Sequence, residues 1–550
     1  MTHRVCLASP RLVLLLAAVC LFLFLGTRGL NEPDEGRFAE VAREMSLQSD
    51  WLMPTLCGVP HLQKPPMIYW AAATCIRLFG VHEWVVRLPS ALAALGTVAL
   101  TLHLAGLLFG TKVAWKAGLI LLSSTLFFIL ARLITTDMLL TFWITAAITA
   151  YVDAAMRGRR ASLLFFYLCL GLGFLTKGPM TLLVSYAAVL PFAVTLKGEV
   201  NRIPWRWHWI PGLLLALGIG LSWFLLLFRQ YPELVDYFLK YELVDRIASN
   251  THARAKPFWY YAVGLVGGFL PWSILFPRMA CGLWTRLKTH RPPKAWLFIG
   301  WVFIPGLFLH LMVSKMVTYL LPLLPALAIL TAYTWENVND SLRREIRGMA
   351  GLVALLMLGL PIALRIMQQR VSGPDPLSPL VIAAAIIILA GAGWLYQQAG
   401  TTLPLNRQLI AISLLMLASL LLIVRTMDSL IVGSNSPVRP MAEKILEVQR
   451  ATGIKDVYLQ RGRRYGFEFY LQQPIIRRAN SIDLALPIPA ALADRFVDDP
   501  AVFFAQNPDR PLLAVTNANR IEELLALASG WRELYRHHGL VLLVRNADVP

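Results

Sequence analysis

The chain has 550 residues, of which 57% are hydrophobic and 15% charged, with 51 Lys and Arg against 32 Asp and Glu for a formal net charge of +19. A soluble globular protein carries about 25% charged and about 45–50% apolar residues, and a disordered chain is less hydrophobic still, so both classes are excluded in favour of a large membrane-embedded body. The cationic excess then points either to nucleic acid or to a charge bias across a bilayer.

A bilayer core takes about 20 apolar residues per helix. In chain order, thirteen runs qualify as transmembrane helices: 10–27, 89–109, 113–131, 136–156, 161–176, 178–196, 208–228, 259–280, 295–313, 316–334, 349–369, 377–397 and 407–426. The first is read as a retained helix, because Gly26-Thr27-Arg28-Gly29 after it offers no small-x-small cleavage site. With the N-terminus placed in the cytoplasm, the inside segments collect 19 basic residues, among them Lys112, Arg157, Arg278 and Arg344. The short outside turns hold Arg132, Lys177, Lys315 and Arg370. The positive-inside rule therefore fixes that orientation. It puts two long loops, 28–88 and 229–258, and everything from 427 onward on the outside. Most of the charge excess is thus topological. Basic residues alternate with spans rather than forming an aromatic-interleaved patch, so no nucleic-acid partner is expected.

The first outside loop opens with Asn31-Glu32-Pro33-Asp34-Glu35-Gly36-Arg37. Phe38, Val41, Ala42 and Met45 follow at helical spacing, with Arg37, Glu40 and Glu44 off that stripe, which predicts an amphipathic helix lying in the membrane interface. Asp34 stands just before it, either as a helix N-cap or as an acid held at the mouth of a cavity. Gln63-Lys64-Pro65-Pro66 comes next, followed by Tyr69-Trp70, which have the composition of interface anchors. Lys64 either snorkels to headgroups or binds a phosphate as a point charge. The turn Arg132–Met138 brings a second carboxylate, Asp137, again as a cap or as a functional acid at the edge of a span. The second loop contributes His252 and Arg254, and the turn before the tenth span Lys315 and Tyr319. All these groups fall on one side of the membrane, as a site for phosphorylated lipids requires.

The tail from 427 differs in kind. Pro440–Leu446 reads as an amphipathic helix, Asp456–Leu459, Pro511–Val515 and Val541–Val544 as strands, and 518–529 as a helix. The pattern predicts a small α/β domain over 427–550 beside a membrane domain over 1–426. No phosphate-binding glycine motif occurs in it. Of six cysteines, only Cys57 and Cys75 are placed to share an oxidising compartment, so they form the one disulfide to look for.

The run Asp34-Glu35-Gly36-Arg37-Phe38-Ala39-Glu40-Val41-Ala42-Arg43-Glu44-Met45, then Asp50-Trp51-Leu52-Met53-Pro54, Lys64-Pro65-Pro66 and Tyr69-Trp70, resembles the first periplasmic loop of the aminoarabinose transferases (the ArnT type). These bacterial membrane glycosyltransferases are related to the protein mannosyltransferases and share the membrane fold called GT-C. The resemblance extends over the whole chain. It implies a mainly α protein of about 13 transmembrane helices with a periplasmic α/β tail, in the bacterial inner membrane. It also implies transfer of 4-amino-4-deoxy-L-arabinose from undecaprenyl phosphate to a phosphate of lipid A, which masks surface charge against polymyxin and other cationic peptides. The family's motif acid maps onto Asp34 and its second loop acid onto Asp137, and its phosphate-binding cations map onto Arg37 and Lys64. Gln63 departs from the Glu common at that position in the family.

The chemistry points the same way. Breaking the C1–O bond of a sugar on a lipid phosphate leaves negative charge on the phosphate, which preorganised cations stabilise; Lys64 and Arg37, joined by Arg254, are the candidates. Glu35, Gln63, Tyr69, His252, Lys315 and Tyr319 are possible substrate contacts. Asp34 is open to three roles: orienting the acceptor, stabilising the oxocarbenium-like carbon, or pairing with the sugar ammonium. No cofactor is required. A divalent metal on Asp34, Glu35, Asp137 and His252 is compatible with their chemistry, though no spacing motif demands one. Two other readings stand beside this one. A related GT-C enzyme would use a protein hydroxyl or another glycolipid as acceptor, with Asp34 as general base. A lipid transporter or flippase would show paired repeats and charges at the midplane of its spans.

Overall fold

The computed structural model describes residues 9–196, 208–237, 256–289, 293–337, 342–368, 378–399, 403–430, 438–479 and 488–546. The first ten helices are α1 (Pro10–Phe22), α2 (Asp34–Leu47), α3 (Met67–Phe79), α4 (Glu83–Phe109), α5 (Thr111–Leu122), α6 (Thr125–Leu130), α7 (Thr136–Arg157), α8 (Arg160–Lys177), α9 (Met180–Thr195) and α10 (Trp209–Gln230). Later helices cover Tyr260–Gly268, Phe276–Thr289, Pro293–Leu311, Leu324–Glu336, Arg343–Gln368, Pro379–Gln398 and Leu405–Leu430. Within the described residues each apolar run picked out in the sequence falls largely on helix. Among the described residues, 9 helices are long and apolar enough to cross a membrane, or 10 if one bent pair is a single span. The protein is therefore a multi-pass membrane protein. Leu214, Leu225, Leu307, Leu380 and Ile387 are exposed on these helices, which is the expected environment for lipid-facing side chains.

Four of the expected spans are interrupted or short. The run 113–131 breaks at Ser123-Ser124, where both hydroxyls turn back onto carbonyls of α5. The run 259–280 bends by 110° between Tyr260–Gly268 and the helix that starts at Trp272. Pro271 sits at that bend without an N–H to continue the ladder. α1 and α9 have 13 and 16 residues.

After the Leu405–Leu430 helix the chain builds a six-stranded sheet with the order β5-β4-β3-β6-β8-β7. Its strands are β3 (Val457–Leu459), β4 (Ile476–Arg478), β5 (Phe496–Val497), β6 (Leu512–Asn517), β7 (Trp531–His537) and β8 (Leu540–Arg545). A two-stranded hairpin, β1 (Thr55–Leu56) with β2 (Val59–Pro60), lies in the first long loop. β3 pairs in parallel with β4 and β6, and β8 runs antiparallel between β6 and β7. The Arg439–Thr452 helix covers one face, through Met441, Ile445 and Val448 against Val457, Leu459 and Leu513. Phe504 and Leu524 cover the other, against Tyr458, Leu512 and Val541. The helix expected over 518–529 is shorter, a 3-10 turn followed by Ile521–Leu525.

The sheet unit docks on the first long loop. Tyr465, Phe469 and Phe496 join the same apolar core as α2, α3 and the membrane helices. This corrects the reading of α2 as an interface helix. Its apolar stripe is buried as expected, but Glu40 and Arg43 on its polar side are buried too, because the Gly466–Leu471 helix covers them. α2 is thus enclosed between the membrane bundle and the sheet unit rather than resting among headgroups.

Candidate functional site

Asp34 is the first residue of α2, and the cap position belongs to Pro33, with no side-chain capping bond. The carboxylate is therefore free of the N-cap role. Its Oδ1 accepts from Arg37 Nη2 at 2.7 Å, one turn on. The Asp34 side chain is 55% exposed and that of Arg37 only 15%. Arg37 Nη1 also donates to Gln63 Oε1 at 3.3 Å, which brings Asp34, Arg37 and Gln63 together with neighbouring Lys64. The guanidinium lies 5.6 Å from the Phe38 ring centroid. His61, a residue the sequence reading passed over, shares this space. It is buried, and burial, followed by the nearby Arg37 and Lys64 cations, pushes its imidazole down to about 3. At neutral pH it is thus uncharged beside two cations. A lone His in a loop gives no signal of this.

A second cluster forms around Asp137, in the first turn of α7. The cap position belongs to Thr135, again with no side-chain capping bond. Asp137 Oδ1 instead takes a short charge-assisted hydrogen bond from Lys177 Nζ at the end of α8. Lys177 Nζ lies 4.3 Å from the ring centroid of Tyr319, so three separate elements meet here. Lys177 was visible in the sequence only as a cation in a short turn. Nothing there paired it with an acid 40 residues away. Lys315 is buried, and its Nζ donates to Met312 O at 2.6 Å; Tyr261 Oη accepts from Met316 N at 3.3 Å.

Glu35 joins the two clusters. Its Oε1 accepts from Arg87 Nε at 2.9 Å and its Oε2 from Arg87 Nη2 at 3.0 Å, and Arg28 Nη2 lies 2.9 Å from Oε2. Ile134 N, three residues before Asp137, donates to Oε1 at 3.4 Å. Burial opposes ionisation of Glu35, yet the Arg28 and Arg87 guanidiniums outweigh it and hold the carboxyl down at about 2. Glu35 was expected as a possible substrate contact. The structure gives it a buried structural role instead, and its arginine partners leave it unsuited to binding a metal. Tyr69 differs in the same direction: it is fully buried, with its ring 5.7 Å from that of Phe38, and acts as packing rather than as an interface anchor. Trp70 Nε1 bonds Trp51 O at 2.8 Å. His252 and Arg254 lie outside the described residues. Among the described residues, no three His, Cys, Asp or Glu side chains gather in a metal-holding group. Cys57 and Cys75 are free thiols, and Cys57 Sγ donates to Glu468 Oε1 at 3.4 Å.

Comparison with known proteins gives the fold and the family. The fold is that of a solved bacterial membrane protein, ArnT from Cupriavidus metallidurans, whose complex with undecaprenyl phosphate superimposes with a TM-score of 0.79 over 97% of both chains at 24% identity. The family model for dolichyl-phosphate-mannose-protein mannosyltransferases matches residues 63–224. An undecaprenyl phosphate-α-4-amino-4-deoxy-L-arabinose arabinosyl transferase of Aeromonas salmonicida is 31% identical over 385 residues, 67% of this chain and 68% of its own length. The chain belongs to that arabinosyl transferase family. Its counterpart in Serratia proteamaculans is also 31% identical, over 61% of each chain, and that in Shewanella sediminis 34% over 56% of each. The matched stretch thus spans about three fifths of these two relatives.

Proposed function

We propose that the protein transfers 4-amino-4-deoxy-L-arabinose from undecaprenyl phosphate to a phosphate of lipid A at the periplasmic face of the bacterial inner membrane. In this reading the N-terminus is cytoplasmic, the membrane domain spans 1–426 and the α/β domain spans 427–550. The observation that carries the proposal is the meeting, in a chain of this family, of two acid–cation clusters at one end of the bundle. They come from α2, α7, α8 and the stretch around Lys64, and Glu35 pins them together. The docking of the sheet unit on the first long loop supports one shared compartment for both, and the positive-inside bias supports its being the periplasm.

In the reaction, the bond from sugar C1 to the undecaprenyl phosphate oxygen breaks and its electron pair leaves with that oxygen. An oxygen of the acceptor phosphate forms the new bond to C1. Lys64 and Arg37, with Arg254, neutralise the charge that grows on the departing phosphate. Gln63 orients Arg37 through the bond it already makes. Lys177, held by Asp137 over Tyr319, supplies a further cation for one of the two phosphates. Lys315 and Tyr319 line the acceptor side, and His252 is a further candidate contact. The acceptor phosphate is already anionic and needs little help from a base, which leaves Asp34 to orient it, to stabilise the positive sugar carbon or to pair with the sugar ammonium.

The test is mass spectrometry of lipid A from cells with and without the gene. A gain of one aminopentose, with increased polymyxin survival, is the expected result. Unchanged lipid A would move the acceptor to a protein hydroxyl or another glycolipid, the direction in which the mannosyltransferase match leans. Lys64→Ala is expected to weaken undecaprenyl phosphate binding about tenfold or more, since hydrogen bonds to charged groups contribute about 1.5–3 kcal/mol. Titration of the lipid into the purified protein measures this, and an unchanged affinity would assign Lys64 to headgroup snorkelling.

A further inference from the structure

Asp34 stands between two clamps. On one side Glu35 ties α2 to the membrane bundle through Arg87 and Ile134. On the other, Glu32 belongs to the sheet unit: its Oε1 accepts from Gly466 N at 2.7 Å and its Oε2 from Tyr465 N at 3.0 Å. Two residues earlier, Leu30 N donates to Tyr470 Oη at 2.9 Å. The Glu32 carboxylate is housed between two glycines. A Cβ on Gly36 would lie 2.5 and 2.6 Å from its two oxygens, and a Cβ on Gly466 would collide with Oε1. A built cradle of this kind is more than docking needs. The two units already hold together through Tyr465, Phe469 and Phe496 in the shared core and through Cys57 on Glu468, which Arg477 grips in turn. Burying a further acidic side chain is costly unless its bonds are needed where they fall, and these fall on Glu32, two residues before α2 begins, beside the Tyr470 bond at Leu30.

The geometry points to the sheet unit as a positioning element for transfer, with Glu32 and Tyr470 as the positioning residues that fix the entry to α2 and so set where the Asp34 carboxylate sits. This rests on the transferase reading above. Glu32 and Tyr470 act on Asp34 through the backbone on either side of it, at Leu30, Glu32 and Gly36. Displacing a reacting group by about 1 Å is worth on the order of 10²-fold in rate, so a partial loosening is expected to cost about tenfold.

The experiment uses the full chain in nanodiscs, with undecaprenyl-phosphate-linked aminoarabinose as donor, lipid A as acceptor and release of undecaprenyl phosphate as readout. Tyr470→Phe removes one hydroxyl and leaves the ring in place; Glu32→Gln is the second variant. Arg510→Ala, which breaks the exposed Arg510–Asp456 pair elsewhere in the sheet unit, is the control. Expected for both variants are a kcat about tenfold lower, a donor KM within twofold of wild type, and faster hydrogen exchange at amides 30–38, with Arg510→Ala at wild-type values. Wild-type kcat in both variants overturns the inference, as does a loss of kcat that tracks the unfolded fraction and appears equally in Arg510→Ala. If the wild-type protein does not turn over this donor, the transferase reading falls on its own. The brace is then decided by exchange alone: faster exchange at 30–38 upholds it and unchanged exchange overturns it.

Discussion

Asp34→Asn is expected to abolish transfer in a protein that folds as well as wild type. The structural half of this expectation follows from exposure. The Asp34 side chain is 55% exposed, and its pair with Arg37 spans one turn of α2. Exposed pairs of this kind contribute about 0.2–1 kcal/mol, and Arg37 keeps its bond to Gln63 when the charge on Asp34 is removed. The catalytic half follows from what Asn keeps and loses. It matches the shape of Asp and retains an oxygen that accepts a hydrogen bond, but it has no charge to place beside a positive sugar carbon or an ammonium and no basicity. A positioned acid or base contributes about 10²–10⁴ in rate, and the loss expected here lies in that range. The check is donor turnover beside thermal unfolding in the same nanodiscs. Activity within about threefold of wild type would remove Asp34 from the reaction. Collapse of the fold would show that its contact with Arg37 matters more to stability than its exposure allows.

The fold was legible wherever a local pattern forces it. Apolar runs gave the helices of the bundle, and the stripe Phe38, Val41, Ala42, Met45 gave α2. The apolar strands β3, β6 and β8 were visible for the same reason. β4 is Arg at two of its three positions and β5 has only two residues, so neither shows the apolar run that marks β3. β7 is an edge strand with no fully buried residue and a bulge between Glu533 and Tyr535, so its alternation is broken where it would be read. In the site, Asp34, Arg37, Lys64 and Asp137 stood out because their motif and their position at span edges are local features. What remained hidden depends on contacts across the chain. Glu35 reads as a possible substrate contact or metal ligand, whereas Arg87, 52 residues away, claims its carboxylate. Arg87 itself was counted in the loop, whereas it lies inside α4. The burial of Glu40 and Arg43 is set by a helix more than 400 residues later in the chain, which no periodicity in α2 can announce.

Glu35→Gln is expected to cost about 3–5 kcal/mol of stability, the range for breaking a buried pair by removing one partner. The substitution keeps the shape and leaves two guanidiniums inside the protein without their counter-charge. Arg87 is partly compensated, because its Nη1 donates to Leu25 O and Arg28 O and its Nη2 to Gly29 O, at 2.7–2.9 Å. These carbonyl bonds favour the lower end of the range; a loss of the N–H bonds from Asn31 and Ile134 to the carboxylate pushes the other way. The pH dependence of the wild-type protein carries the same signature. Glu35 has a folded-state value of about 2 against an ordinary 4.5. A carboxyl depressed on folding stabilises fully above its unfolded value and loses that contribution as pH falls through the folded one. The Glu35 contribution is therefore constant above about pH 5 and declines from about pH 4.5 toward 2, by about 3 kcal/mol in all. Denaturant midpoints in mixed micelles across this window measure it, and the Gln variant is expected to lack this decline. Equal midpoints for the two proteins at pH 7 would mean that Arg28 and Arg87 find full compensation elsewhere, and the entry to α2 would then rest on the sheet unit alone.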